Sequence, residues 1–147
     1  MKLVKVKKLK PDAILPCRAT ANSAGLDLCA NEDVTLQARK RGIVGTSLAI
    51  ELPTSTYGRI AGRSGLAFYS GIYCFNGIID SDYQSEIKLC MTNESNVDFS
   101  IKKGDRVAQL IIQSYESKLE IKEVNELKRA SVRGESGFGS TGIRPFE

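Results

Sequence analysis

Two carboxylates and a phenol ring stand within four positions, in Gly77-Ile78-Ile79-Asp80-Ser81-Asp82-Tyr83. A carboxylate is ionised at neutral pH and takes a proton from water when it is well positioned. An aromatic ring offers a flat apolar face with a polar handle. Gly77 and the two β-branched residues after it read as a buried strand end. Asp-Ser-Asp is turn chemistry, because Asx side chains hydrogen-bond their own backbone. Glu86 to Met91 then alternates with period two, so the whole reads as a β-hairpin with the reactive groups at its mouth. The pattern also describes an ordinary surface turn. A pocket offering a base and a packing ring together needs support from elsewhere in the chain.

Three other stretches carry groups suited to an anion. In Gly62-Arg63-Ser64-Gly65-Leu66, Ser64 can cap a short helix over 65–69, and an Arg beside that helix start suits negative charge. Seven of the twelve residues from Ser131 to Gly142 are Gly or Ser, interrupted by Arg133 and Phe138. Glycines let backbone N–H groups converge on a phosphate, Arg adds charge, and hydroxyls add donors. Such a terminal run cannot pack a core, yet a Phe among glycines looks placed to stack on something flat. Asp27, between Leu26 and Leu28, and Gln109, inside an apolar run, are polar side chains in strand-like surroundings. Such groups face water or a cleft, or find a buried partner.

Composition removes several classes. The chain has no His, so acid–base work at neutral pH falls to Asp, Glu, Lys, Tyr or Cys. Cys17, Cys29, Cys74 and Cys90 show no C-x-x-C spacing, which argues against a zinc site and for free thiols in a reducing compartment. The net charge of +4 comes from Lys2, Lys5, Lys7, Lys8 and Lys10, and the remainder is close to neutral. That is one basic strand, not a face that tracks a duplex, so no nucleic-acid partner is expected. No apolar run approaches a membrane span and the N-terminus is too charged for a signal peptide. A soluble, intracellular protein without a membrane partner is expected, in the cytoplasm or the nucleus. No G-x-x-x-x-G-K-[ST] occurs, which excludes a P-loop ATPase.

The elements that must position these groups are short strands. Strands are expected over Met1–Leu9, Ala24–Ala30, Val34–Leu36, Gly42–Leu52, Tyr57–Ala61, Ile78–Ile79, Glu86–Met91, Val97–Ile101, Arg106–Ile112 and Leu119–Val124. Lys102-Lys103-Gly104-Asp105 reads as a hairpin turn. About ten strands with one short helix argue an all-β fold, a distorted antiparallel jelly roll or β-barrel, with a mobile C-terminal arm. A single domain is expected, with residues 1–130 as its barrel and 131–147 as its glycine-rich arm. Together, the base pocket, Arg63 to Gly65, Gln109 and the arm suggest a nucleoside polyphosphate ligand.

At this point the chain resembles a known family. Ala24-Gly25-Leu26-Asp27-Leu28, Gly62-Arg63-Ser64-Gly65-Leu66, Gly77 to Tyr83, Gly104-Asp105-Arg106-Val107-Ala108-Gln109-Leu110 and Arg133 to Gly142 look like the five ordered motifs of the homotrimeric deoxyuridine triphosphatases. The resemblance implies a jelly-roll homotrimer with active sites at subunit interfaces and the arm contributed by another subunit. It implies hydrolysis of dUTP to dUMP and pyrophosphate, which limits uracil in DNA and supplies dUMP for thymidylate synthesis. Asp80 would activate the water that attacks the α-phosphorus. Tyr83 would pack on the deoxyribose and leave no room for a 2′-hydroxyl. Main-chain groups of Gly77, Ile78 and Ile79 would read uracil. Arg63, Ser64, Gly65 and Gln109 would hold the phosphates. Arg133, Gly139, Ser140 and Thr141 would close on their far end, and Phe138 would stack on the base. Asp27 would act through water on a Mg²⁺ carried by the triphosphate.

Two positions depart from the family pattern. Gly62 stands where Pro is usual, and Ser85 where Gly is usual, which would strain Ser85 if its φ were positive. Three other readings stand beside dUTP hydrolysis. One is a same-fold deoxycytidine triphosphate deaminase, one a dUTP-binding regulator, and one a β-domain without a ligand.

Overall fold

The computed structural model describes residues 3–127. The chain divides after Ser117 into two units, residues 1–117 and 118–147. The first unit holds β1 (Lys5–Lys8), β2 (Leu26–Cys29), β3 (Val34–Leu36), β4 (Arg41–Gly45), β5 (Leu48–Glu51) and β6 (Thr56–Ala61). The helix α1 (Ser64–Ser70) follows, then β7 (Ile72–Cys74), β8 (Ile78–Ile79), β9 (Lys88–Asn93), β10 (Phe99–Ile101) and β11 (Arg106–Ser114). In the second unit, residues 118–127 have no regular secondary structure, so the strand expected over Leu119–Val124 is not formed there. The expected arm, 131–147, lies outside the described residues.

All strand pairs are antiparallel. One sheet has the order β2-β11-β6-β8, a second β4-β9-β7, and two pairs, β1-β5 and β3-β10, complete the set. This is the all-β jelly-roll class expected, with one short helix. No helix among the described residues is long and apolar enough to cross a membrane.

Alternation builds the core. Along β6, Thr56, Gly58 and Ile60 are buried while Tyr57, Arg59 and Ala61 are only partly so, as period two requires. Leu28, Leu36, Val44, Leu48, Ile72, Ile87, Leu89, Met91, Ile101 and Leu110 are buried from several strands into one cluster. The fully buried Asn93 is satisfied: its amide donates to the carbonyls of Leu36 and Val97, and its oxygen accepts from Ser95.

Several local expectations are corrected. The run Gly42–Leu52 is two strands, broken at Thr46-Ser47, where Ser47 takes a φ of 53°. β4 then pairs with β9 and β5 with β1, so the break passes the chain between sheets. The segment from Gly77 to Met91 is not a hairpin: β8 pairs with β6, while β9 pairs with β4 and β7. Lys102–Asp105 is a turn, with Gly104 at φ 93°, but its flanking strands pair elsewhere. Arg63, not Ser64, is the N-cap of α1, and no side chain caps it. Ser85 is not among the described non-glycine residues with positive φ, so the strain considered for it is absent. β7 carried too few residues to be read from pattern.

Candidate active site

Register on β2, β11 and β6 assembles the first half of the site. Asp27 lies opposite Gln109, and Gln109 opposite Ala61, so the two polar side chains share the outer face of the sheet. Gln109 reaches along it and donates from Nε2 to the Gly62 carbonyl at 3.0 Å. Gly25 is required here, because a Cβ at that position would overlap the Gln109 side chain.

Asp27 is only 8% exposed, and two guanidinium groups compensate it. Arg106 Nη1 donates to Asp27 Oδ2 at 3.1 Å, and Arg63 Nε lies 3.7 Å from Oδ1. Arg63 Nη1 also donates to the Arg106 carbonyl at 3.0 Å. Arg106, which motif reading named without a role, holds the Asp27 carboxylate. Its signal was a charged residue opening a buried strand next to a second charged motif. One pair along β2, the Cys29 thiol is pushed above its ordinary value, first by burial and then by Cys17 and Asp27.

The resulting cleft has a volume of about 410 Å³ and is bounded by Asp27, Arg63, Ser64, Gly65 and Gln109. The first N–H groups of a helix lack intrahelical acceptors, and Ser64 and Gly65 open α1 at the cleft wall. A Cβ on Gly65 would meet nothing within 4 Å, so this wall is open to a ligand. Guanidinium, amide, hydroxyl and unpaired N–H groups around one cleft suit an anion such as a phosphate chain.

The second half lies at the other end of β6. Ile79 pairs with Gly58 and Ile78 with Arg59, and Ile60 N–H donates to the Gly77 carbonyl at 2.8 Å. Continuing that register puts Asp80 beside Tyr57. Asp80, Ile78, Tyr57 and Tyr115 bound a depression of about 280 Å³. Tyr57 and Tyr115 meet edge to face, with ring centroids 6.2 Å apart. Beyond Asp80, Tyr83 N–H donates to the Asp80 carbonyl at 3.1 Å, and its hydroxyl to the Glu86 carbonyl at 2.8 Å. Asp80 and Tyr83 are both exposed.

The two halves do not meet within one chain. Tyr57 lies near the start of β6 and Arg63 two residues past its end with an extended backbone, so six residues at ~3.3 Å each separate the Asp80 end from the cleft by roughly 20 Å. Asp27, Arg63, Ser64, Gly65 and Gln109 are thus brought together. Gly77, Ile78, Ile79, Asp80 and Tyr83 form a separate group. Arg133, Phe138, Gly139, Ser140 and Thr141 lie outside the described residues.

The fold and the cleft define a class, an antiparallel β-domain with a cleft lined by guanidinium, amide and hydroxyl groups and a carboxylate-bearing loop apart from it. Comparison with known proteins narrows the class. The family model for dUTPase matches residues 11–142. The chain is 44% identical over 141 residues to a deoxyuridine 5′-triphosphate nucleotidohydrolase of Saccharomyces cerevisiae, covering 96% of this chain and 95% of that protein. It is 46% identical over 138 residues to one from Paramecium bursaria Chlorella virus 1, covering 94% and 96%. Its fold is similar to that of a Staphylococcus bacteriophage 80alpha dUTPase solved with dUpNHpp, with a TM-score of 0.91 and 27% identity over 96% of this chain and 99% of that one. The chain belongs to the dUTPase family.

Proposed function

We propose that the chain hydrolyses dUTP to dUMP and pyrophosphate in a site completed by a second copy of itself. The observation that carries the assembly is the ~20 Å of extended chain, β6 and the two residues after it, between the Asp80 loop and the phosphate cleft. Base, sugar and α-phosphorus of a nucleotide are only a few bonds apart. In this reading the carboxylate that activates water beside the α-phosphorus and the cleft that grips the phosphates come from different chains. A contact between two different surfaces of identical chains closes into a ring, and the resemblance to the homotrimeric deoxyuridine triphosphatases makes that ring a trimer in this reading.

In this reading Asp80 takes a proton from a water as the water oxygen bonds to the α-phosphorus. The bond from that phosphorus to the bridging oxygen breaks, and pyrophosphate leaves. Main-chain groups of Gly77, Ile78 and Ile79 pair with uracil, and the Tyr83 ring covers the deoxyribose. Arg63, Ser64, Gly65 and Gln109 hold the phosphates. Arg106 fixes Asp27 and with it the cleft wall. Arg133, Phe138, Gly139, Ser140 and Thr141 close over the nucleotide. A dUTP-hydrolysing role places the protein inside the cell, where deoxynucleotides are made.

The residues present fit a magnesium ion that arrives with the triphosphate. The described residues hold no group of three or more Asp, Glu, Cys or His able to bind a metal, and both Asp27 oxygens already face guanidinium groups. Asp27 is therefore suited to accept from a water on the ion and not to ligate it directly. When bound, magnesium neutralises charge on the phosphates.

The deciding experiment measures pyrophosphate release with Mg²⁺ from dUTP, UTP, dTTP and dCTP at equal concentration. Hydrolysis confined to dUTP is expected. Tight dUTP binding without turnover would favour the regulator, and release of ammonia from dCTP the deaminase.

A further inference from the structure

We propose that Glu86 is a positioning residue that sets how sharply the site tells deoxyribose from ribose. The inference rests on the reading of Tyr83 as the ring that covers the sugar. Tyr83 sits in an exposed loop, and a ring excludes a hydroxyl only if it is held still. Its hydroxyl donates to the main-chain carbonyl of Glu86 at 2.8 Å. The position of the ring is therefore inherited from residue 86.

Residue 86 is fastened to the buried body by unusual means. Glu86 Oε1 accepts the N–H of Ser47 at 2.8 Å, at the turn where Ser47 is held at φ 53°. Asn31 Nδ2 donates to Ser47 Oγ at 3.0 Å and braces the same turn. The next residue is fixed as firmly: Ile87 N–H donates to the Leu48 carbonyl at 2.8 Å, and Thr46 Oγ1 to the Ile87 carbonyl at 2.8 Å. Thr46, Ser47, Leu48 and Ile87 are all buried. A path of hydrogen bonds thus runs from the β4–β5 turn through Glu86 to the Tyr83 ring.

Gly45 offers a second handle on this path. Its N–H donates to Glu32 Oε1 at 3.0 Å, and a Cβ added there would lie 2.9 Å from both Glu32 Oε1 and Glu86 Oε1. Both are ends of flexible side chains. Gly45→Ala would move them without breaking the strand, and so dislodge Glu86 from Ser47.

The test compares kcat/KM for dUTP with that for UTP. Glu86→Ala and Tyr83→Phe should each lower the dUTP-to-UTP ratio by about tenfold, since sterically enforced selectivity decays when the enforcing group gains freedom. Gly45→Ala should move the ratio in the same direction. Glu86→Gln keeps an acceptor oxygen for Ser47 and should restore most of the ratio. A residue that served stability alone would lower Tm and leave the ratio where it was. Tyr83→Ala separates the two layers. If it changes the ratio while Glu86→Ala, Gly45→Ala and Tyr83→Phe do not, the positioning role is overturned and the sugar filter stands. If Tyr83→Ala leaves the ratio unchanged, the filter reading falls and takes this inference with it.

Discussion

The two ends of β6 are built on opposite principles. At the cleft end, the Asp27 carboxylate sits between the Arg63 and Arg106 side chains, Arg63 and Gln109 also donate to main-chain carbonyls, and the carboxylate's charge is compensated before any ligand arrives. At the Asp80 end the reactive carboxylate is exposed, and the loop that follows it is tied through main-chain acceptors. An anion site gains from rigid donors set in advance, because nothing then has to reorganise when the phosphate binds. In the proposed mechanism the base must stay accessible to water until the phosphorus is brought to it, and Asp80 is exposed. The comparison teaches that stability is concentrated in the half that binds, and reactivity in the half that waits.

The largest expected effect breaks the waiting half alone. Asp80→Asn should lower kcat by about a thousandfold while binding of a non-hydrolysable dUTP analogue and Tm stay unchanged, since a positioned acid–base group is worth ~10²–10⁴. Near-normal hydrolysis by this variant would remove Asp80 as the base. Mixing the halves sharpens the point. Asp80→Asn and Arg63→Ala, each inactive alone, should regain about a quarter of the wild-type sites when refolded together, because half the chains supply each intact part in a rotationally symmetric ring. No recovery would mean that one chain contains the whole site.

Asp27→Asn addresses the binding half. It strips the charge between two guanidinium groups and should cost about 1–2 kcal/mol of stability, less than a fully buried pair would, because both arginines are partly exposed. It should also raise KM for dUTP, seen by urea denaturation and steady-state kinetics together. A loss of turnover with no change in Tm or KM would move Asp27 to the other half of the comparison.

Two smaller effects test the packing of β7 against the residue that precedes Arg63. The Cys74 thiol is pushed up from 9.0 to about 11, first by burial and then by Cys90. Above pH 9 the unfolded chain loses a proton that the folded chain keeps, so stability should fall as pH rises from about 9 towards 11. Cys74→Ala should flatten that limb of a Tm–pH curve. Gly62, whose added Cβ would lie 3.4 Å from the Cys74 backbone nitrogen, should accept Ala. The gain should be about 0.5 kcal/mol, through lower entropy of the unfolded chain, read as a rise in the urea midpoint. A drop instead would show that the Cys74 backbone cannot yield by a few tenths of an ångström.

Much of the site chemistry was legible from residue types. Arg63, Ser64, Gly65 and Gln109, picked out from separate motifs, line one cleft, and Asp80 and Tyr83 share a loop. The role of Arg106 was not legible, because its partner Asp27 is 79 residues away in sequence. The bracing of Glu86 was hidden for the same reason, since the Ser47 N–H it accepts lies 39 residues earlier.

The sequence by itself determined the strand-rich class, most strand positions and the inventory of reactive groups, because alternation and residue chemistry are local properties. Only the tertiary structure decided which strands are neighbours. Alternation reports the buried face of a strand and is silent on its partner, so β8 and β9 looked like one hairpin yet belong to different sheets. The break at Ser47 escaped notice because a positive φ at a serine leaves no mark in composition. The separation of Asp80 from Arg63 follows from register along β6. It turns a set of motifs that reads as one site into two groups at opposite ends of one strand, which is the ground for the proposed site between subunits.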